Sequence, residues 1–409
     1  SVEQISESLF QLGHENEISS DKLDIDITPN RGDCLSLKGI LNELNCFYTI
    51  NNNSTNHNYN ELGNLELDFK NKSTDDCPEI SFMSIEVSDF EEKYSPEIER
   101  FFKKLDIKKN NFFTDISNYL IYEMGLPTHC YDLDKINGCL TLEKNIRERS
   151  FLTLANKEIK VSKDDLVFTM NDEIINLAGI IGGKSTSCST TTKKVLIECA
   201  FFNPETIIGK SIKYDLKTDA SFRFERGVDR AIQEKVLRRF LEIVNNHSNI
   251  IEAKFVNFSH KDFKKREIEA NIKKINKILD LDISEDKFKE ILNNLGFKVS
   301  NKITIPSFRQ DISNQNDIAE EVARVIGFDN IPRKSFKFQT LPSNNKKVAL
   351  DQKIRTYLTN LGFFECINNP FSAEELSTSI FVDNPLDSSK RFLRCSSKNS
   401  LVQNLVFNQ

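Results

Sequence analysis

Between residues 24 and 46 the chain alternates apolar and acidic positions, turns at Pro29 and Gly32, then repeats apolar residues at Leu37, Ile40, Leu41 and Leu44. A period of two giving way to one near 3.6 predicts a strand, a turn and a helix. The Asn-rich stretch 51–64 has no period and reads as a linker closing a first module near Ile50. A second domain is expected to begin near Cys77. From there to Phe258, β-like runs at 80–87, 139–146, 166–170 and 194–202 alternate with turn signals, and helices are predicted over 95–105 and 231–245.

The Lys-rich stretch 260–277 could touch nucleic acid but reads better as a solvated hinge, and it sets a boundary. Beyond it, Ser284 caps a helix whose Phe288, Ile291, Leu292 and Leu295 share one face, and Gly296 supplies a left-handed stop. A strand at 302–307 and a second helix at 316–327 follow, closing at the turn around Pro332. After Leu341 the pattern restarts with a helix over 348–361 and a strand-like run at 363–371. The elements together predict an α+β multidomain protein.

Length agrees, since 409 residues exceed one core and imply two to four domains. A hydrophobic share of 38% with 10% aromatics is enough for packed cores and excludes a disordered chain. No run approaches the eighteen apolar residues of a membrane span, and the start SVEQISESLF lacks the basic and apolar regions of a signal peptide. A soluble, cytosolic protein is expected. Nine cysteines are scattered without a CxxC pair, so they read as reduced thiols rather than a zinc site or disulfide framework. A net charge of -6 argues against coating nucleic acid by bulk electrostatics but leaves a local basic face open. Ser1 in place of a starting Met agrees with a piece of something longer.

Four segments carry polar residues that packing alone does not require: 118–132, 177–183, 196–202 and 214–229. Glu198 lies inside an apolar strand, where an unpartnered carboxylate is costly, so it needs a donor and is either a structural hydrogen-bonder or a ligand contact. His129 follows a Gly-Leu-Pro-Thr turn, where loop residues often meet ligands, although a lone His also serves structure. Gly182 and Gly183 permit a left-handed backbone or close approach of another molecule, and a tight turn explains them equally. The run 214–229 has charges and aromatics without a hydrophobic period, which suits a surface site. Further on, Asp317, Glu320 and Glu321 sit at i, i+3 and i+4 of a predicted helix, with Asp311 just upstream. Hard oxygen ligands in that pattern suit Mg²⁺, and an acidic first helix turn with Glu320 paired to Arg324 is the alternative.

In this order the four segments resemble the B3/B4 editing domain of the β subunit of bacterial-type phenylalanyl-tRNA synthetase. DITPNRGDCLSLKGI is similar to the end of that family's B1 module, and residues 267–332, with RxDI, EEVAR and GFDNIP elements, resemble its B5 module. VDNPLDSSKRFLRCSS resembles the segment opening its non-catalytic, synthetase-like B6 domain. The resemblance divides the chain into the end of B1 (1–50), a linker (51–75), a B3/B4-like editing domain (76–259), a B5-like domain (260–333) and a truncated start of B6 (334–409). It implies a mixed-strand editing domain, a small helical or winged B5-like domain and part of a class II synthetase-like antiparallel domain. It also implies an internal fragment, with the tRNA-binding B2 insertion before residue 1 and the B8 domain beyond Gln409.

Under this resemblance the B3/B4 cleft hydrolyses tyrosine wrongly attached to phenylalanine-specific tRNA. Glu198 would accept a hydrogen bond from the tyrosine phenol, and His129 would position the terminal ribose or the attacking water. Thr218 and Ala220 would line the pocket and Gly182 would leave room at its floor. Lys108 stands where the family usually has arginine, keeping the charge but losing the planar fork. With no Ser-His-Asp or Cys-His arrangement, positioned water with substrate assistance suffices and no covalent intermediate is expected. Arg223, Glu225 and Arg226 would form an ion-pair set in the cleft wall. Asp311, Asp317, Glu320 and Glu321 would bind Mg²⁺ shared with an α subunit, which itself activates phenylalanine with ATP in an α2β2 heterotetramer acting on tRNA(Phe) in the cytoplasm. A free-standing trans-editing deacylase and a non-enzymatic nucleic-acid or partner-binding scaffold are the alternatives.

Overall fold

The computed structural model describes residues 1–20, 22–50, 62–90, 93–260, 263–333 and 346–408, which divide into two units, 1–333 and 334–409. The Asn-rich linker core at 51–61 and the boundary near Leu341 lie outside the described residues. The first unit opens with α1 (Val2–Gln11) and the antiparallel hairpin β1 (Glu15–Ser19) and β2 (Lys22–Asp26). A 3₁₀ turn at Gly32–Cys34 leads to α2 (Leu37–Leu44), whose N-cap Ser36 accepts from the Gly39 N–H at 3.1 Å. The expected strand, turn and helix are therefore present. A Cβ on Gly32 would come within 2.4 Å of the Gly227 carbonyl, so this module packs backbone against backbone on the next.

The middle of the unit begins with β3 (Gly63–Asn64), β4 (Phe69–Asn71), β5 (Glu79–Phe90), α3 (Pro96–Leu105) and α4 (Phe112–Met124). It continues through β6 (Thr128–Asp132), β7 (Leu140–Lys144), β8 (Arg149–Leu152), β9 (Glu158–Val161) and β10 (Leu166–Met170). Next come β11 (Glu173–Leu177), β12 (Ile181–Gly182) and β13 (Lys194–Phe201). Three short helices, α5 (Pro204–Ile207), α6 (Lys210–Tyr214) and α7 (Asp219–Phe224), precede α8 (Gln233–His247) and β14 (Ser248–Ser259). Two five-stranded mixed sheets result, ordered β12-β11-β10-β7-β4 and β3-β14-β5-β13-β6. Residues 63–71, expected within the linker, supply the edge strands β3 and β4, which pair in parallel with β14 and β7. Ladder hydrogen bonds hold these short strands where no hydrophobic period marks them. β13 lies between β5 and β6, and its side chains from Val195 to Phe201 are all buried. A strand covered on both faces reads as an unbroken apolar run, which is why Glu198 stands out in it.

The unit closes with β15 (Glu267–Glu269), α9 (Ile272–Leu279), α10 (Glu285–Asn294), β16 (Lys298–Val299), β17 (Lys302–Thr304) and α11 (Gln315–Ile326). The hinge expected over 260–277 is largely replaced by β15 and α9. Helix α9 buries Ile275 and Leu279 while Lys273, Lys274 and Lys277 stay exposed. Its lysines lie on one face of an amphipathic helix, and counting charge without period hid it.

This closing segment repeats the opening one. In both, a helix ends at a Leu-Gly pair whose glycine is left-handed, Gly13 at φ +91° and Gly296 at φ +87°. A hairpin follows, then an Arg-x-Asp turn, an N-cap at Ser36 or Asn314, and a second helix. Arg31 grips Asp33 at 2.9 and 2.8 Å and, 12 positions on, Glu43 at 2.7 Å. Arg309 grips Asp311 at 2.9 and 2.7 Å and, again 12 positions on, Glu321 at 2.6 Å.

The second unit holds α12 (Lys346–Asn360), the two-residue strands β18 (Phe371–Ser372), β19 (Ile380–Phe381) and β20 (Phe392–Leu393), and α13 (Ser397–Phe407). Its antiparallel sheet has the order β18-β20-β19. Of the strand expected at 363–371 only Phe371 joins the sheet; Phe364 and Ile367 are exposed and pair with no strand among the described residues.

Candidate functional site

The two five-stranded sheets meet around a cavity of about 660 Å³, whose walls also include the start of α4 and of α7. Strand pairing sets its polar floor. In one sheet β6 runs antiparallel to β13 with His129 opposite Glu198, and in the other β11 pairs β12 with Asn176 opposite Gly182. All four residues line the cavity, together with Thr218 and Ala220.

Glu198 is only 4% exposed, and burial pushes its carboxyl up to about 8. The donor it requires is Tyr131, whose hydroxyl donates to Oε2 at 2.7 Å. Asn176 Nδ2 donates in turn to the Tyr131 oxygen at 2.8 Å, crossing from one sheet to the other, and lies 3.5 Å from Glu198 Oε2. Among the described residues Oε1 of Glu198 has no partner.

His129 packs edge-to-face on the Tyr131 ring at 4.4 Å, and its buried Nε2 is unpartnered among the described residues. Burial pulls the imidazole down to about 4. Part of the ring opens to the cavity, where water tempers that shift, and the neutral form still dominates near pH 7. Gly182 is what gives the ring its place, since a Cβ there would lie 2.1 Å from His129 Cε1. The room expected at the floor for a ligand is thus occupied, at least in part, by the imidazole.

Thr218 caps α7, accepting from the Ser221 N–H at 3.0 Å and donating to the Ile180 carbonyl at 2.8 Å. Its hydroxyl proton is committed to the wall, so it shapes the pocket rather than offering a free donor. Ala220 is half-buried beside it. Lys108 is not brought to this group: it is exposed between α3 and α4 and does not line the cavity, whereas its neighbours Asn110 and Asn111 do. Arg223 ties α7 to the opening module, donating from Nε to the Leu35 carbonyl at 3.2 Å and from Nη1 to Asp219 at 3.2 Å, while Arg226 pairs with Glu225 at 3.0 Å.

The four carboxylates expected to hold Mg²⁺ are not gathered into one ligand set among the described residues. Asp311 and Glu321 both close on Arg309, and Glu321 also receives Arg324 Nη2 at 2.5 Å. Asp317 accepts from the backbone of Ser313 and Asn314 at 2.6 and 2.9 Å as part of the α11 capping box. Glu320 is exposed and has no ion pair among the described residues, and Arg324 pairs with Glu321 and Glu43 rather than with it. Two guanidiniums among the would-be ligands make the set unfit for a common cation. His14, Cys34 and Glu43 do approach one another, but Arg31 lies 3.1 Å from the Cys34 sulfur and also holds Glu43. That cluster is an ion-pair network.

Tyr131 and Asn176 were absent from the expected site. A signal existed for each: Tyr131 is two positions from His129 and therefore shares its strand face, and Asn176 is the lone polar residue in the run IINLAGII.

Residues 76–249 match the B3/4 domain family, and residues 268–328 match the tRNA synthetase B5 domain family. The phenylalanine–tRNA ligase β subunit of Carboxydothermus hydrogenoformans is 31% identical over 383 residues, covering 89% of this chain and 47% of that protein. That of Psychrobacter arcticus is 29% identical over 421 residues, 97% of this chain and 51% of that protein. The chain belongs to the phenylalanine–tRNA ligase β-subunit family. It spans about half the length of the curated relatives it matches. The cavity lies wholly within the stretch matched by the B3/4 domain of this ligase family. A crystal structure of an N-terminal fragment of the phenylalanyl-tRNA synthetase β-subunit from Pyrococcus horikoshii aligns with a TM-score of 0.43 and 14% identity over 80% of this chain and 94% of that one, too distant a likeness to bear on the site. Among the described residues no helix is long and apolar enough to cross a membrane.

Proposed function

We propose that the cavity hydrolyses tyrosine wrongly esterified to phenylalanine-specific tRNA. The observation that carries this reading is a carboxyl buried in an otherwise apolar strand with one oxygen bonded to Tyr131 and the other unpartnered. A synthetic pocket shaped for phenylalanine rejects an added hydroxyl poorly, so a second site that binds that hydroxyl removes the error. A phenol can donate to an ionised Oε1 or accept from a protonated one, and phenylalanine can do neither.

The hydrolysis needs only water. Its oxygen adds to the ester carbonyl, the bond to the terminal ribose oxygen breaks, and that oxygen takes the proton, releasing tyrosine and tRNA. His129, held neutral and of low basicity, orients the water or the ribose hydroxyl from the part of its ring that opens to the cavity rather than taking a proton in full. Burial pushes the Cys130 thiol up and that of Cys188 to about 12, so neither cavity cysteine is poised as a nucleophile.

In this reading the chain is the part of a β subunit that edits and scaffolds, divided at about 50, 75, 259 and 333. A separate α subunit carries out ATP-dependent aminoacylation of tRNA(Phe) in a cytoplasmic α2β2 heterotetramer. No step runs through Mg²⁺. The test is ester loss from tyrosyl-tRNA(Phe), measured with the full β subunit and its α partner, wild type against Glu198→Ala. Faster loss with wild type is expected, and equal rates remove the editing assignment.

A further inference from the structure

Glu198 has two oxygens, and the structure treats them differently. Oε2 receives the Tyr131 hydroxyl at 2.7 Å, and Tyr131 in turn receives Asn176 Nδ2 at 2.8 Å. An amide N–H can only donate, so the chain of hydrogen bonds runs one way, from Asn176 through Tyr131 to Glu198. All three residues are more than nine-tenths buried. The same Tyr131 presents its ring to the edge of the His129 imidazole. One side chain thus supports both polar groups of the cavity floor.

We propose that Tyr131 and Asn176 are specificity-positioning residues: by occupying Oε2 of Glu198 they leave Oε1 as the single carboxyl atom offered to a ligand hydroxyl. This deepens, and rests on, the tyrosine-editing reading above. Without the Tyr131 hydroxyl the carboxyl is free to turn, and either oxygen can be drawn toward whatever donor lies nearest. The pair also sets when the carboxyl changes charge, because a donor on Oε2 favours the ionised form. The other titratable groups beside Glu198 are His129 and Tyr131, with the thiols of Cys130 on β6, Cys199 on β13 and Cys77 ahead of β5. The imidazole is pulled down and the phenol and thiols are pushed up, so all stay neutral between pH 6 and 9. The remaining charged side chains on the cavity wall are Lys184, Lys217 and Asp219.

The experiment measures hydrolysis of tyrosyl-tRNA(Phe) and phenylalanyl-tRNA(Phe) from pH 6 to 9 by the assembled α and β subunits. Wild type is compared with Tyr131→Phe, Asn176→Ala and Glu198→Gln. The ratio of the two rates cancels the ester's own lability in alkali. In wild type the ratio should favour tyrosine and rise as Glu198 ionises. Tyr131→Phe should lower the ratio about fivefold to tenfold at neutral pH, the scale of one hydrogen bond, and move the rise to higher pH. Asn176→Ala should do the same to a smaller extent, which keeps the idea testable if the Phe variant folds poorly. A wild-type ratio near one removes the editing reading itself. A normal wild-type ratio that Glu198→Gln abolishes, while both positioning variants leave its size and pH midpoint unchanged, overturns this inference alone.

Discussion

Arg324 Nη2 donates to Oε1 of Glu43 at 3.1 Å across 281 positions of sequence. This contact joins the two copies of the repeated helix-hairpin-helix segment through the carboxylate that ends the first copy's grip and the arginine that follows the second's. The result is a buried line of alternating charge, Asp33, Arg31, Glu43, Arg324, Glu321, Arg309 and Asp311. Charges taken this far out of water are tolerated only when each is met by hydrogen-bonded opposite charge, as each is here. Glu43 is a sensitive place to cut the line, because removing it takes a partner from Arg31 and Arg324 at once and leaves each with one carboxylate, Asp33 and Glu321. Glu43→Gln is expected to cost about 3–5 kcal/mol in urea unfolding, the scale of breaking a buried pair. Glu43→Gln combined with Arg324→Met should recover part of that loss, and a purely additive double variant would show the two are not coupled.

The same line makes a prediction for acid. Arg324 and Arg31 hold the Glu43 carboxyl well below the usual range, and Arg309 and Arg324 hold Glu321 down to about 2. A depressed folded-state value means that the stabilisation is fully present above the unfolded value near 4.5 and is lost as pH falls from there toward 2. Stability measured by denaturant at pH 5, 4 and 3 should therefore fall steeply in wild type. Glu321→Gln, which has already lost the charged partner, should start lower and show a shallower fall.

How far such features could be read from sequence varies with their range. The strands around Glu198 and the helix capped by Ser284 were legible because period and capping are local. Glu198 itself was conspicuous as the polar break in an apolar strand. Its partner Tyr131 was not, since the register of β6 against β13 and the meeting with Asn176 of another sheet are tertiary facts. The acidic set at 311–321 shows the opposite failure. Helical spacing put three carboxylates near one face, but it carried no information that Arg309 would reach across 12 positions to neutralise Glu321. The repeated Arg-x-Asp with Glu at the same spacing was visible all along, and comparing the chain with itself would have revealed it.

For Glu198 the sign of the pH effect is reversed. Its carboxyl is raised to about 8 by burial, so between about 4.5 and 8 the folded chain holds a proton that the unfolded chain has released. Stability consequently falls with rising pH through that window, by at most about 1.4 kcal/mol per pH unit from this one group. Glu198→Gln removes the titration while keeping the shape. Its unfolding free energy relative to wild type should rise between pH 6 and 9, and a difference that stays flat with pH would show that Glu198 is ionised throughout.

Gly182 offers the most direct test of how the floor of the cavity is built. A methyl group at this position would overlap His129, 2.1 Å from Cε1 and 2.6 Å from Nε2, so the imidazole must swing away from the place that Asn176, Tyr131 and Glu198 define. Overpacking of this kind costs about 1–3 kcal/mol of stability, which leaves a folded protein to assay. Misplacing a positioning group by about an ångström can cost on the order of 100-fold in rate, and Gly182→Ala should lower tyrosyl-tRNA(Phe) hydrolysis on that scale. If the loss runs through the imidazole, Gly182→Ala should cost little more in a chain already carrying His129→Ala. Full additivity of the two losses would mean instead that Gly182 makes room for the substrate and that its contact with His129 is incidental.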